Sequence, residues 1–141
     1  MTSDKEDGTE LARVTLRPLS PGRIARHCAE AAMRGVQCLR VDLEGCADKQ
    51  ELLARISRTL EFPDWFGGNW DALFDCLNDM SWMPAEGYLL VLENADELLR
   101  DSPEAFGVAQ SILEDAASAW HARGVEMSVL VDAVPPKDQG E

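Results

Sequence analysis

Hydrophobic residues recur along this chain with spacings that predict short strands separated by helices. Apolar runs bounded by glycine or proline are typical of strands, and apolar residues three or four apart are typical of helices. The predicted strands cover residues 13–19, 36–43, 88–93 and 126–131. The predicted helices cover residues 20–35, 48–60, 70–79, 95–100 and 102–122. Because strands alternate with helices, the pattern predicts an α/β fold of two or three layers with a mainly parallel β-sheet.

Two of the predicted strands carry information about their place in the sheet. Residues 88–93 form a continuous apolar run, which is typical of a central strand covered on both faces. Pro18 lacks a backbone N–H, so the first predicted strand is expected to end there or to lie at a sheet edge. A chain of 141 residues has the size of one domain, which we place at 11–134. The polar ends, 1–10 and 135–141, are predicted to be disordered.

Composition and charge narrow the classes of partner. The chain is 45% hydrophobic, and it contains no apolar run near the roughly 18 residues that a membrane span needs. Its 26 acidic and 13 basic residues give a net charge of −13, which repels nucleic acid and membrane surfaces and attracts basic partners. The first ten residues lack the basic and then apolar stretches of a signal peptide. We therefore expect a cytoplasmic protein that binds neither nucleic acid nor membrane.

The cysteines give no sign of a metal or redox centre. None of the four is part of a C-x-x-C motif, so neither a zinc site nor a thioredoxin-like pair is indicated. They stand at Cys28, Cys38, Cys46 and Cys76. Their scatter favours free, partly buried thiols over disulfides.

The helix predicted at 70–79 has the most informative pattern. Asn69 precedes it and can cap it, because an asparagine side chain accepts a hydrogen bond from a backbone N–H of the first turn. One apolar stripe is expected to face the core, with Phe74 at its seam with the acidic face: Trp70, Leu73, Phe74 and Leu77. Acidic residues recur every four positions on an adjacent flank: Asp71, Asp75 and Asp79. Like charges at this spacing destabilise a helix by about 0.2–0.5 kcal/mol per pair, so the acidic row needs an explanation.

A solvated acidic face is the default interpretation of the acidic row on this helix. The next most favoured interpretation is a surface that binds cations. Asp71 lies in the first turn, where the helix dipole favours a negative charge, whereas Asp79 lies near the end that disfavours one. Asp75 gains from neither end.

The aromatic residues Trp65 and Phe66 precede a glycine pair in a loop, and exposed aromatic side chains beside carboxylates are typical of protein interfaces.

Two segments together resemble a known family. Residues 65–77 read Trp-Phe-Gly-Gly-Asn-Trp-Asp-Ala-Leu-Phe-Asp-Cys-Leu, and residues 88–93 read Tyr-Leu-Leu-Val-Leu-Glu. This order is similar to that of the barstar family, which are intracellular protein inhibitors of the extracellular ribonuclease barnase. The resemblance covers about 38–131 and implies a barstar-like fold, with a core at 36–134. Residues 11–35 then form an extension that adds a strand and a helix to the family's three-stranded parallel sheet.

The resemblance implies a non-enzymatic inhibitor that covers a ribonuclease active site with this loop and helix. By position, Asp75 is the central carboxylate, Asp71 pairs with a neighbouring basic group and Trp65 stacks near the active-site histidine. The full set of implied or candidate partner-binding residues is Asp64, Trp65, Phe66, Gly67, Asn69, Asp71, Phe74, Asp75 and Asp79. The expected partner is a basic ribonuclease of the barnase type or a related nuclease toxin, bound by a monomer in a 1:1 complex.

Several positions depart from the family pattern, and they bear on which nuclease is bound. Tyrosines are usual at Trp65 and Phe66, a tryptophan at Phe74 and an acidic residue at Gly68. A further acidic contact on the last long helix would fall near Ser118 or Ala119, and neither is acidic. We hypothesise that Asp64 or Asp79 supplies that charge.

Two other classes of function compete with the inhibitor. An enzyme is disfavoured, because the carboxylates are accompanied by neither a calcium-binding loop nor a glycine-rich phosphate loop. The only histidines, His27 and His121, lie in separate helices, and no nucleophile with a base is visible. We therefore expect no catalytic residues, no metal and no cofactor. The alternative binding function is a barstar-fold interaction or immunity module for a different basic partner, since fold does not fix function.

Overall fold

A computed structural model describes residues 13–134 of the chain. The predictions of disorder for 1–10 and 135–141 lie outside these residues. The strands are β1 Val14–Arg17, β2 Val36–Asp42, β3 Gly87–Glu93 and β4 Glu126–Asp132. The helices are α1 Pro21–Met33, α2 Lys49–Leu60, α3 Trp70–Asp79, α4 Asp96–Asp101 and α5 Pro103–Ala122. Every predicted strand and helix is present, with ends that differ by a few residues.

The four strands form one parallel sheet in the order β1-β4-β3-β2. β3 pairs with β2 from Val36 opposite Gly87, and with β4 from Glu126 opposite the same glycine. As predicted from its continuous apolar run, β3 lies inside the sheet and is buried along nearly its whole length. β1 lies at an edge and ends just before Pro18, as the missing N–H of proline requires.

Both faces of the sheet are covered by helices, so the fold has three layers. Side chains of β3 alternate between the faces, because successive residues of a strand point in opposite directions. Leu90 and Leu92 belong to the larger buried cluster, which includes residues of α2, α3 and α5. Leu89 and Val91 belong to a smaller cluster with Ile24 of α1. The N-terminal extension therefore supplies one edge strand and a whole layer. None of the helices in the described part of the chain is long and apolar enough to cross a membrane.

Three of the predicted helices, α1, α2 and α3, begin at capping side chains, whereas α4 and α5 have no side-chain cap bond. Ser20, Asp48 and Asn69 each accept a hydrogen bond from the backbone N–H three residues later, at 3.1, 2.9 and 2.8 Å. These bonds satisfy N–H groups that have no partner inside the helix. α2 and α3 both end at a non-glycine residue in the left-handed conformation, Glu61 with φ 56° and Met80 with φ 51°.

The expectation that all four cysteines are free thiols is wrong for two of them. Cys28 of α1 and Cys38 of β2 form a disulfide across the smaller cluster, with their Cα atoms 5.4 Å apart. α1 packs directly on β2, which brings together two cysteines whose sequence spacing matches no local motif. Cys46 and Cys76 are free and buried.

Candidate functional site

The loop from α2 to α3 and the helix α3 position the sequence-predicted site. Gly68 has a φ of 73°, a left-handed conformation that glycine adopts without the steric cost other residues bear. The next residue, Asn69, turns the chain into α3 and accepts a hydrogen bond from the N–H of Ala72 at 2.8 Å. The predicted cap is therefore confirmed. The Asn69 side chain thus holds the first turn of α3, the helix that carries the acidic row.

The acidic side chains lie on the exposed flank of α3. Asp71, Asp75 and Asp79 are all exposed, as is Asp64 in the preceding loop. Within residues 13–134, the carboxylates of Asp64, Asp71 and Asp75 have neither a salt bridge nor a hydrogen bond. Asp79 differs, because it accepts a bond at 3.3 Å from the N–H of Ser81 in the turn after the helix. Asp79 thus has a structural role that the other three lack.

Phe74 does not face the core, so the apolar stripe predicted for α3 is wrong at this position. Its side chain is 39% exposed, whereas Leu73, Cys76 and Leu77 are the buried residues of the helix. Phe74 lies at the seam between the apolar and acidic faces, and Cys76 takes the central core position instead. The exposed ring therefore lies on the same helix as Asp71 and Asp75 and adds apolar surface to the acidic flank.

The aromatic residues of the loop divide into one exposed ring and a supporting group. Trp65 is 55% exposed and meets Trp82 edge-on, with ring centroids 6.2 Å apart. Trp82 also contacts Phe62 edge-on at 5.9 Å, and Phe62 lies 5.0 Å from the half-buried Phe66. The Trp82 indole N–H donates to the Leu60 carbonyl at 3.0 Å, which fixes its orientation. Trp65 is therefore presented to solvent on a packed aromatic support.

Trp82 is a residue of this site that sequence reasoning missed. It lies in the turn between α3 and β3. A large apolar side chain is unusual in such a turn, and this could have pointed to Trp82 in the sequence. Gly67, which the sequence also assigned to the site, is exposed between Trp65 and the cap.

The far end of α3 is held by α5. The Trp120 indole N–H donates to the Leu77 carbonyl at 2.7 Å, and the Arg123 guanidinium donates to the Asn78 carbonyl at 3.0 Å. Arg123 also stacks on the Trp120 ring, 4.0 Å from its centroid. These donors satisfy carbonyls that have no partner inside the helix, and the cation lies at the negative end of the helix dipole. Both ends of the acidic helix are thus fixed.

Cys76 is a buried thiol of α3, and the charges of the acidic row affect its pKa. Burial, with smaller contributions from the charges of Asp75 and Asp79, raises its pKa from 9.0 to about 11. The thiol is therefore neutral at physiological pH and is not a nucleophile, because the thiolate is the reactive form.

The described residues contain no grouping suited to a metal ion. Within 13–134, no three histidine, cysteine, aspartate or glutamate side chains lie together as a metal would require. Successive carboxylates of the acidic row are one helical turn apart and point into solvent. His27 is in α1 and the exposed His121 is in the last turn of α5.

Comparisons with known proteins bear on fold and family separately. A search of curated proteins gives no match. Among solved structures, the ORC2 protein of Aeropyrum pernix in its ADPNP-ADP complexes is 16% identical, with a TM-score of 0.60 over 87% of this chain and 35% of that one. A Drosophila ORC structure bound to AT-rich DNA and Cdc6 is 18% identical, with a TM-score of 0.52 over 93% of this chain and 45% of that one.

At these identities the likeness extends to the fold alone, and this chain spans about a third of the length of the ORC2 protein. The family comparison shows more than the fold. The model of the family described as Barstar (barnase inhibitor) matches residues 36–132, more than two thirds of the sequence, and the chain belongs to this family.

Proposed function

We propose that this protein inhibits a basic ribonuclease by covering its active site with the loop 64–69 and the exposed flank of α3. The observation that carries the proposal is the pair Asp71 and Asp75, two exposed carboxylates without a partner among residues 13–134, on a helix fixed at both ends. The family is an inhibitor family, which supports a non-enzymatic role. The protein acts as a monomer in a 1:1 complex.

The chemistry of inhibition is occlusion and charge pairing, with no covalent step. A ribonuclease active site presents arginine, lysine and histidine side chains to RNA phosphates, and carboxylates can accept the same hydrogen bonds. Charge-assisted bonds of this kind strengthen when the interface excludes water. Because α3 and Trp65 are already held in place, little conformational entropy is lost on binding. Asp75 is the central contact, and Trp65 and Phe74 supply apolar surface beside it.

The charges available to the site suggest which carboxylate serves as an additional contact. Ser118 and Ala119 place no acidic group at their positions on α5. Asp79 is bonded to the turn after its own helix, whereas Asp64 is exposed and has no partner among the described residues. We therefore assign the extra contact to Asp64. The net charge of −13 attracts a basic enzyme from a distance, so association slows as salt rises.

The cytosol is the proposed site of action, where the inhibitor protects the cell's RNA from the nuclease. Reducing conditions there convert Cys28 and Cys38 to thiols. α1 would remain packed by its apolar contacts, since Ile24 and Ala31 are buried against the sheet. Inhibition should accordingly be equal with and without a reducing agent.

The decisive experiment measures cleavage of RNA by a barnase-type ribonuclease at increasing inhibitor concentration. Asp75→Asn removes one charge-assisted contact and should weaken inhibition by about 10- to 150-fold. Asp115→Asn, an equal change of charge at an exposed position of α5, is the matched control and should inhibit like wild type. Circular dichroism checks that both variants are folded. Inhibition by Asp75→Asn equal to wild type would refute the proposed site.

A second candidate function is binding to a basic protein other than a ribonuclease of this type. The absence of an acidic side chain at Ser118 and Ala119 favours it, because the charge pattern of the surface differs from the family's. A wild-type chain that binds a basic protein through Asp75 yet leaves RNA cleavage unchanged would support this second function and exclude the first.

A further inference from the structure

Positive charge is concentrated in the N-terminal part of the described chain. Residues 13–34 contain five arginines and one acidic residue, a net charge of +4 in a chain whose net charge is −13, so the remaining residues carry −17. These residues form β1 and α1, and α1 covers the face of the sheet opposite to α3. The protein therefore has a basic side as well as an acidic one.

Three arginines and one histidine converge on one open cavity of about 550 Å³. Arg26 and His27 follow Arg23 in α1 by three and four residues, so each lies beside Arg23 on the helix surface. Arg17, at the end of β1, completes the group, and its guanidinium lies 3.4 Å from Nε2 of His27. We call the lining the basic pocket: Arg17, Ser20, Gly22, Arg23, Arg26, His27 and Glu30.

The arginines of the basic pocket form no ion pair with a described residue, whereas four of the other arginines do. Arg17, Arg23 and Arg26 form no salt bridge within residues 13–134, and Glu30 is the single acidic residue of the lining. Elsewhere, four arginines pair with carboxylates: Arg34, Arg40, Arg55 and Arg100. Three like charges with a single carboxylate among them repel one another, so a bound anion would relieve their repulsion.

The backbone at the start of α1 adds a donor to the pocket. Ser20 accepts from the Arg23 N–H, and Pro21 has no N–H to offer. The Gly22 N–H has no acceptor within residues 13–134, and a side chain at Gly22 would meet no atom within 4 Å. The cavity thus combines side-chain guanidinium groups with an accessible N–H at the positive end of a 13-residue helix.

We propose that the basic pocket binds a multivalent phosphate anion. Guanidinium groups match phosphate oxygens with paired hydrogen bonds, and three arginines suit a ligand with more than one negative charge. Apart from the imidazole of His27, whose Nε2 lies 3.4 Å from the Arg17 guanidinium, the lining contains no ring or aliphatic side chain that could hold a base or an acyl chain. The pocket therefore recognises the phosphates themselves, whether they are free or part of a nucleotide. This site is independent of the proposed inhibition.

Calorimetric titration of the full chain with inorganic pyrophosphate tests the proposal. We expect saturable 1:1 binding, weakened by about tenfold or more in the double variant Arg23→Gln/Arg26→Gln. The control is Arg58→Gln/Arg100→Gln, which changes the net charge equally at exposed positions outside the pocket and should bind like wild type. A nucleoside diphosphate should bind within about threefold of pyrophosphate, since no side chain holds the base.

Three results would overturn the proposal. They are the absence of saturable pyrophosphate binding, equal weakening in both double variants, and nucleoside diphosphate binding ten or more times tighter than that of pyrophosphate. Ribonuclease inhibition should be unchanged in Arg23→Gln/Arg26→Gln, because α3 lies beyond the opposite face of the sheet. The two proposals can therefore fail separately.

Discussion

Replacing Asp75 with asparagine should make the protein more stable while it weakens inhibition. Asp75 lies between Asp71 and Asp79 on α3, one helical turn from each, and all three side chains are exposed. Asparagine keeps the size and polarity of the side chain and removes its charge. The substitution therefore eliminates both like-charge pairs of the row at once.

The expected gain follows from the spacing. Side chains four apart on a helix are about 6 Å from each other, and two unit charges at that distance in water repel by about 0.7 kcal/mol. Measured pairs on helices cost about 0.2–0.5 kcal/mol, so removing two should raise the free energy of unfolding by about 0.4–1 kcal/mol. In a domain of this size the melting temperature should rise by about 1–4 °C. In 1 M salt the gain should shrink, because the screening length falls to about 3 Å.

Urea denaturation at low and high salt measures this effect, with Asp115→Asn as the control. Asp115 is exposed on α5 and has no acidic residue three or four positions away, so its neutralisation removes only the long-range part of the repulsion. Asp75→Asn should therefore gain more stability than Asp115→Asn at low salt, and the two should converge in 1 M salt. Equal gains at low salt, or a loss of stability in Asp75→Asn, would show that the row does not strain α3.

Four other predictions concern the cap, the buried thiol and two glycines. Asn69→Ala should lower the free energy of unfolding by about 1 kcal/mol, because it removes the bond to the first turn of α3, and Asn69→Asp should retain stability in the same denaturation assay. Stability should fall as pH rises from 9 to about 11. The pKa of Cys76 is raised in the folded protein, so the unfolded chain loses the thiol proton at lower pH. Denaturation measured across this range should show a shallower fall for Cys76→Ala. Gly107→Ala in α5 should stabilise by about 0.5–1 kcal/mol, since the new Cβ meets nothing within 4 Å. Gly87→Ala should instead destabilise by about 1–3 kcal/mol, because its Cβ would lie 2.9 Å from the backbone oxygen of Glu126.

Each of these has an outcome that counts against its reasoning, and for Gly107→Ala it is a loss of stability. An Asn69→Ala variant as stable as wild type would mean that the cap contributes nothing to α3. An identical dependence on pH in Cys76→Ala would assign the alkaline loss to other groups. A stabilised Gly87→Ala would contradict the close approach of β3 and β4.

Local chemistry made much of the fold predictable from the sequence. The caps at Ser20 and Asn69 and the apolar run at 88–93 each depend on neighbours in the chain, so their structural roles could be predicted without coordinates. The exposure of Asp71 and Asp75 followed from helical spacing in the same way. Their role in binding remains a prediction.

The parts that could not be predicted depend on contacts between distant segments. Trp82 reaches Trp65 from the turn beyond α3, and Arg123 reaches the end of α3 from α5. The disulfide joins Cys28 and Cys38 because α1 packs on β2, which no spacing rule indicates. The basic N-terminal segment, in contrast, could have been predicted from the sequence. Counting charges segment by segment shows its net positive charge, which the net charge of the whole chain does not show.

The layer formed by α1 is restricted in sequence for a different reason from the outer flank of α3. The family match begins at Val36, yet Val36, Leu89 and Val91 are buried in the cluster to which Ile24 of α1 belongs. The segment that carries the resemblance is therefore shorter than the segment that folds. Substitutions on the outer flank of α3 can follow a changing partner without disturbing this contact, while substitutions on the inner face of α1 are limited by the sheet it covers. A domain without residues 13–35 would need a different cover for these apolar residues.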